Sequence, residues 1–262
     1  MMLVKDFHRW LQTLADIDLE TTVDRIIIGD PDAPVDRVAV CWQSYWETLK
    51  NANAMGIRVV VTHEPTFYTH YDLRETNQPY PDQTAIKKKW IEDNRMTVIR
   101  CHDALDKAAE FGIPFAFGRG LGLNKIIRSQ QFYNVYEIQP AKALDVAKSL
   151  AGKLRAVNQL GIAFYGDKDR IIKTIGVGTG CGCNPREFSR MAPDLFIAID
   201  DSIRTWTETS YSKDTGVPLV VINHGASEEF GVIALRDKIA DAHPEIDAIH
   251  FPQGCGYDWV TG

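Results

Sequence analysis

A buried apolar run that stops at a histidine and a carboxylate limits what this chain can fold into. Residues 58–67 read Arg58-Val59-Val60-Val61-Thr62-His63-Glu64-Pro65-Thr66-Phe67. Consecutive β-branched residues favour an extended strand covered on both faces. Pro65 stops that strand and holds Glu64 extended. A second apolar run, Arg37-Val38-Ala39-Val40-Cys41, lies upstream. Between the two, residues 43–55 place Tyr45, Leu49 and Ala52 at helical spacing, and Gly56 is the C-terminal stop. Strand, helix and strand in so short a stretch make a βαβ unit, which requires a parallel pair of strands. The chain is therefore expected to be an α/β protein. In open α/β sheets ligands collect at the carboxyl ends of strands, where His63 and Glu64 fall. One such pair alone is more often a pair of solvated side chains than a site. The weight comes from two further strand ends.

Met96-Thr97-Val98-Ile99-Arg100-Cys101 runs into His102-Asp103-Ala104-Leu105-Asp106, which opens a helix. His102 and Asp106 are four residues apart and share one helix face. Val217-Pro218-Leu219-Val220-Val221-Ile222-Asn223 runs into His224, and Glu228 follows at the same spacing. Imidazoles beside carboxylates are the donor set of dinuclear hydrolytic centres. Neighbouring side chains of an extended segment diverge, so His63 and Glu64 are expected to suit two ions better than one. Three strand ends with the same chemistry outweigh the simpler reading.

The remaining chain supports an α/β alternation. Val4, Phe7, Leu11 and Leu14 recur at helical spacing, with Trp10 beside them. Residues 68–82 read as a loop over the site, with Phe67, Tyr68, Tyr71 and Tyr80 as a lid or a docking surface. Residues 84–94 read as a helix whose lysines 87–89 form a solvated face. From about Gln131 the pattern restarts, with strands over 132–138, 163–167, 171–177 and 195–199. The last of these reaches Asp200-Asp201, and 202–211 is expected to be helical. Gly178-Thr179-Gly180-Cys181-Gly182-Cys183 matches neither the dinucleotide nor the P-loop spacing, so it reads as a tight turn with close packing. Cys181 and Cys183 are too close for an ordinary zinc pair. Residues 250–257 are expected to turn.

A net charge of −6 argues against the basic footprint of a nucleic-acid binder, and Lys87–Lys89 is the one obvious cluster. No apolar run of about 18 residues marks a membrane span. The N-terminus has no apolar signal core, so a cytoplasmic location is expected, with the five cysteines as reduced thiols.

The three strand-end elements resemble those of the NIF-three-like family of dinuclear-metal proteins, many of them labelled GTP cyclohydrolase 1 type 2 homologues. That family runs a strand into His-His-Pro, then has an (Ala)-His-Thr-Asn-Leu-Asp element and a distal Gly-His-x-x-x-Glu. Here the same order gives Thr62-His63-Glu64-Pro65, Cys101-His102-Asp103-Ala104-Leu105-Asp106 and Asn223-His224-Gly225-Ala226-Ser227-Glu228. The resemblance implies metal ligands at His63, Asp106, His224 and Glu228, with His102 near the site. It implies two α/β lobes, each a mostly parallel or mixed sheet flanked by helices, with two divalent ions between them. Those lobes are expected at residues 1–128 with 230–262, holding most ligands, and at 129–229, ending at the His224/Glu228 element. A ring-shaped homo-oligomer, often a hexamer, is implied as well.

The chain departs from the family at Glu64, where the second histidine stands, and at Asn223. A carboxylate can ligate, so Glu64 joins the expected ligands; the competing outcome is that Glu64 turns away and one ion binds. Three carboxylates against two divalent ions leave one positive charge where two carboxylates would leave two. That difference predicts Mn or Mg over Zn, with Fe also among the candidate ions, and a less acidic bound water. The expected activity is metal-dependent hydrolysis of a small substrate, a nucleotide or a phosphoester. His102 would shuttle a proton or orient a neighbour. The alternative is a metal-binding oligomeric adaptor without turnover.

Overall fold

A computed structural model describes residues 1–130, 132–178, 180–186 and 189–260. The chain opens with β1 (Met2–Leu3), α1 (Val4–Gln12), β2 (Ile26–Ile28), β3 (Pro34–Val35) and β4 (Arg37–Cys41). It continues with α2 (Trp46–Ala54), β5 (Val59–Thr62), α3 (Pro81–Asp93), β6 (Thr97–Arg100), α4 (Asp103–Lys107) and α5 (Ile113–Gly120). Next come β7 (Lys125–Gln130), β8 (Tyr133–Lys142), α6 (Ala143–Leu154), β9 (Ala163–Tyr165), β10 (Ile171–Val177) and β11 (Leu195–Ile199). The last elements are α7 (Ser210–Thr215), β12 (Leu219–Ile222), α8 (His224–Ala242) and β13 (Asp247–His250).

Two compact units result. The first comprises Met1–Gly112 and Val232–Pro252. Its five-stranded sheet has the order β13-β4-β5-β6-β2, parallel except for the edge strand β2. Every residue of β5 and β6 is buried, as expected for strands covered on both faces. Ala39, Val60 and Val98 pack with Leu49 of α2, Phe67, Ile91 of α3 and Met96. Burying each large apolar side chain of this kind contributes about 1.5–3 kcal/mol. Register then fixes where the chemistry emerges: Thr62 pairs with Cys41 on one side and Arg100 on the other. The residues that follow β5 and β6 therefore leave the sheet at the same edge.

The second unit comprises Ile113–Gly231 and Gln253–Gly262. Its sheet has the order β7-β8-β10-β11-β12-β9. β10, β11 and β12 are parallel, and the outer strands join antiparallel. Ile175, Ile197, Ile199, Val220 and Ile222 form the centre of its core with Leu150 and Leu154 of α6. Ile199 pairs with Ile222, so Asp200 and Asn223 leave the sheet side by side. Residues 113–128, assigned from the sequence to the first lobe, count with this unit because Phe117, Leu121 and Leu123 belong to its core.

Local expectations fare unevenly. The first helix buries Val4, Phe7 and Leu11, and ends before Leu14. Residues 72–74 interrupt the loop with a short turn, and α3 begins at Pro81, a proline fitted to the first helical turn. In place of one helix over 202–211, a π-helical turn at Thr205–Thr209 precedes α7. Gln131 and Thr179, on which two sequence expectations fall, lie outside the described residues. No disulfide joins the five cysteines. Among the described residues no helix is long and apolar enough to cross a membrane.

Candidate functional site

In the first unit the chain bends directly after β5. The His63 amide donates to the Trp42 carbonyl at 3.0 Å, and the Glu64 amide donates to the same oxygen at 2.7 Å. His63, Glu64 and His102 each bring a donor atom within 4.8 Å of the others. His63 is buried, and its Nδ1 lies 3.1 Å from the Cys101 carbonyl. A carbonyl only accepts, so Nδ1 carries a proton, and in the neutral ring Nε2 presents a lone pair. That Nε2 lies 3.7 Å from Asp106 Oδ1.

His102 repeats the arrangement. Its Nδ1 is 2.9 Å from Asp103 Oδ1 and its Nε2 is 3.9 Å from Glu64 Oε1. The two imidazoles stack with centroids 4.6 Å apart. The His102 hydrogen bond holds the Asp103 carboxyl far below the usual carboxylate range. His102 and Asp106 do share one side of the turn, with Nδ1 and Oδ2 3.7 Å apart. Asp24 sets this turn from far upstream: its carboxylate accepts from the amides of His102, Asp103 and Ala104 at 2.7–2.8 Å. It thereby caps the start of α4. Burial pushes the Asp24 carboxyl up, against the pull of those three amides.

Behind Glu64 lies a set of buried charges. Arg100 is fully buried. Its Nε donates to the His63 carbonyl at 3.1 Å, Nη1 donates to the His70 carbonyl, and Nη2 lies 3.2 Å from His70 Nδ1. Ion pairs reach Asp72 at 3.6 Å and Glu64 Oε2 at 3.9 Å. Asp72 has a left-handed backbone (φ +50°), and its Oδ1 accepts from the amides of Thr66 and Phe67. Lys87 contradicts the solvated-face reading. It is buried, with Nζ donating to the Thr66 carbonyl at 2.8 Å, because α3 turns that one lysine inward. Burial pushes its pKa down to about 8. Lys88 and Lys89 do face solvent, paired with Glu92 and Asp93.

The second unit carries its own donors. His224 Nε2 lies 3.2 Å from Glu228 Oε2, one turn along α8, while Nδ1 lies 2.8 Å from Asp201 Oδ2. That bond lowers the pKa of Asp201. Asp200 accepts from the His224 amide and from Asn223 Nδ2, at 3.1 and 2.9 Å. Asn223 Oδ1 accepts from the Gly256 amide at 2.8 Å. The C-terminal segment thus has a role beyond turning: it braces the residue before His224. Gly180 approaches this pair closely. A Cβ there would stand 2.2 Å from Glu228 Oε1 and 2.7 Å from His224 Nε2, and its φ is +38°. The glycine-rich turn is a close packer, as its sequence suggests, and what it packs on is the donor pair. Cys183 in the same turn is buried, donates to the Ile197 carbonyl, and is pushed up to about 12 by burial. It is a structural thiol.

These donors fit a cation. The 3.7 and 3.9 Å separations in the first unit exceed hydrogen-bond length. They match the roughly 3–4 Å between two ligands that sit about 2.0–2.1 Å from a common ion. Each imidazole has its far nitrogen fixed, to the Cys101 carbonyl, Asp103 or Asp201. Such outer partners are the usual companions of ligating histidines. Asp103 and Asp201 had signals in the sequence, one beside His102 and the other closing an apolar run. Asp24 and Arg100 had none.

The fold and its donors define an α/β protein of two mixed-sheet units with histidine–carboxylate groups at strand ends. The chain belongs to the Duf34/NIF3 (NGG1p interacting factor 3) family, whose family model matches residues 2–253. A Clostridium perfringens protein named GTP cyclohydrolase 1 type 2 homolog is 22% identical over 255 residues, 92% of either chain. A Streptomyces coelicolor protein of the same name is 25% identical over 254 residues, 90% of this chain and 85% of the relative. The crystal structure of a Bacillus cereus protein related to NIF3 superposes with a TM-score of 0.77 over 99% of both chains. At 11% identity that last likeness is one of fold.

Proposed function

We propose that this protein binds two divalent metal ions, drawn from Zn, Mn, Fe or Mg, and hydrolyses a small nucleotide or phosphoester. One observation carries the reading. His63, His102 and His224 each have Nδ1 tied to an acceptor and Nε2 turned toward a carboxylate oxygen. His63, Glu64 and Asp106 are the proposed ligands of the first unit, and His224 and Glu228 those of the second. When bound, divalent ions supply a water acidified near neutral pH and stabilise charge on the electrophile. The Cys101 carbonyl holds the proton of the neutral His63 ring on Nδ1 and leaves Nε2 for binding. Asp103 likewise orients His102, whose Nε2 is suited to accept a proton from the attacking water and return it to the leaving group. The names of the relatives favour a nucleotide, and the donor chemistry serves a phosphoester as well. A ring-shaped homo-oligomer, hexameric as the resemblance implies, belongs to the same reading, and light scattering would measure its mass.

The test is a turnover screen over nucleotides and phosphoesters with metal-loaded protein and its Asp106→Ala variant. Turnover that falls at least about a hundredfold in the variant, with an unchanged circular dichroism spectrum, is the expected result. The exposed rings of Tyr68, Tyr71 and Tyr80 favour a second reading as an adaptor. No turnover across the screen, with partner capture that persists in chelator, would establish that reading instead.

A further inference from the structure

We propose that Arg100 is a positioning residue for Glu64: its guanidinium faces one carboxylate oxygen and offsets its charge, so Glu64 offers the metal centre a single oxygen. The inference rests on the proposed function and concerns how Glu64 takes part in it. The geometry divides the carboxylate in two. Oε2 lies 3.9 Å from Arg100 Nη2, and Oε1 lies 3.9 Å from His102 Nε2, on the side of the donor group. A guanidinium removed from water is stable only with close countercharge and satisfied donors. Arg100 has the carbonyls of His63 and His70, the ring nitrogen of His70, and the carboxylates of Asp72 and Glu64. Asp72 already serves two backbone amides and lies among the charges around Lys87. Asp72 Oδ2 at 3.6 Å and Glu64 Oε2 at 3.9 Å therefore share the countercharge to Arg100.

This pairing changes the charge balance expected from the sequence. Glu64 alone lowers the positive charge of a two-ion centre by one. A guanidinium against its far oxygen restores that unit, because arginine stays protonated in proteins. Glu64 and Arg100 together then present what a neutral imidazole would present, one donor atom and no net charge. Because Arg100 also anchors the His63 carbonyl, the same side chain fixes both residues of the motif. A preference for harder ions is no longer expected from Glu64.

Glu64→His restores the family's own residue. The imidazole would face Arg100 with no carboxylate between the guanidinium and the ions. Metal affinity would be measured by chelator competition, and metal content by plasma mass spectrometry, in wild type, Glu64→His and Glu64→His/Arg100→Gln. The expected result is at least about a tenfold loss of affinity in Glu64→His, most of it recovered in the double variant. Affinity in Glu64→His equal to or above that of wild type would overturn the inference, as would a folded double variant without recovery. Should the double variant fail to fold, the single variant decides on its own. A wild type that holds no ion would remove the proposed function and this inference with it. A wild type that binds metal, with Glu64→His unimpaired, removes the inference alone.

Discussion

The two units carry the same device and secure it differently. In each, a buried parallel strand releases a histidine at its carboxyl end, and a carboxylate four residues after a histidine joins it: Asp106 after His102, and Glu228 after His224. In the first unit the support is ionic. Asp24 caps the turn, and Arg100, Asp72 and Lys87 tie down the segment after β5. In the second unit the carboxylates of Asp200 and Asp201 hold the His224 amide and ring, and a steric support is added, with Gly180 against the pair and Asn223 braced by the C-terminal segment. The contrast teaches that strand register places the donors, whereas their orientation is left to whichever neighbours each unit supplies. Ionic support responds to pH and to loss of charge, and steric support responds to added volume.

Five substitutions test this contrast. The largest effect is expected of Asp24→Ala, which strips three amides of their acceptor. It should cost about 3 kcal/mol in urea unfolding, and a loss below about 0.5 kcal/mol would deny the cap its role. In the second unit Gly180→Ala should cost about 2 kcal/mol, since the methyl cannot occupy the space held by Glu228 and the backbone is left-handed. Its metal content should fall too, and an unaltered Tm with full metal content would contradict the close approach.

Lys87 supplies a pH test specific to the first unit. The unfolded chain keeps the lysine protonated up to its ordinary value of 10.5, and the fold only up to about 8. Between these values the unfolded state binds more protons, so stability must rise with pH across that window. Below it the cost of burying the charge is present in full. Measured against Lys87→Met, wild type should gain on the order of 2 kcal/mol between about pH 7.5 and 10. A flat difference would mean that Lys87 titrates as an exposed lysine does. The smallest effect belongs to Asp103→Asn and Asp201→Asn. Both keep shape and remove the charge that orients an imidazole, and each should weaken metal binding about tenfold. Loss in one variant and not the other would end the parallel between the units.

The positions of the strand-end histidines were legible because hydrophobic burial fixes strand position. Val59–Thr62 and Thr97–Arg100 bury every residue, so His63 and His102 had to follow the sheet at its edge. The helical spacing of His224 and Glu228 translated directly into a 3.2 Å approach. What escaped was tertiary. Arg100 reads as one polar residue in a strand, and its burial depends on Asp72, in a loop of no regular pattern. Lys87 shares a charge run with two solvated neighbours, and only the path of α3 separates them. Asp24 reaches its amides across almost eighty residues. The hydrogen bonds from the His63 and Glu64 amides to the Trp42 carbonyl were likewise beyond any local pattern. The assignment of 113–128 hinged on Phe117 and Leu121, whose core neighbours no local pattern reveals.

The central claim is that the strand-end histidines of both units bind metal. Plasma mass spectrometry of untagged protein, beside His63→Ala and His224→Ala, tests it most directly. The account predicts about two divalent ions per chain in wild type and a marked loss in each variant. Trace metal in wild type, or a content that neither substitution changes, would contradict it.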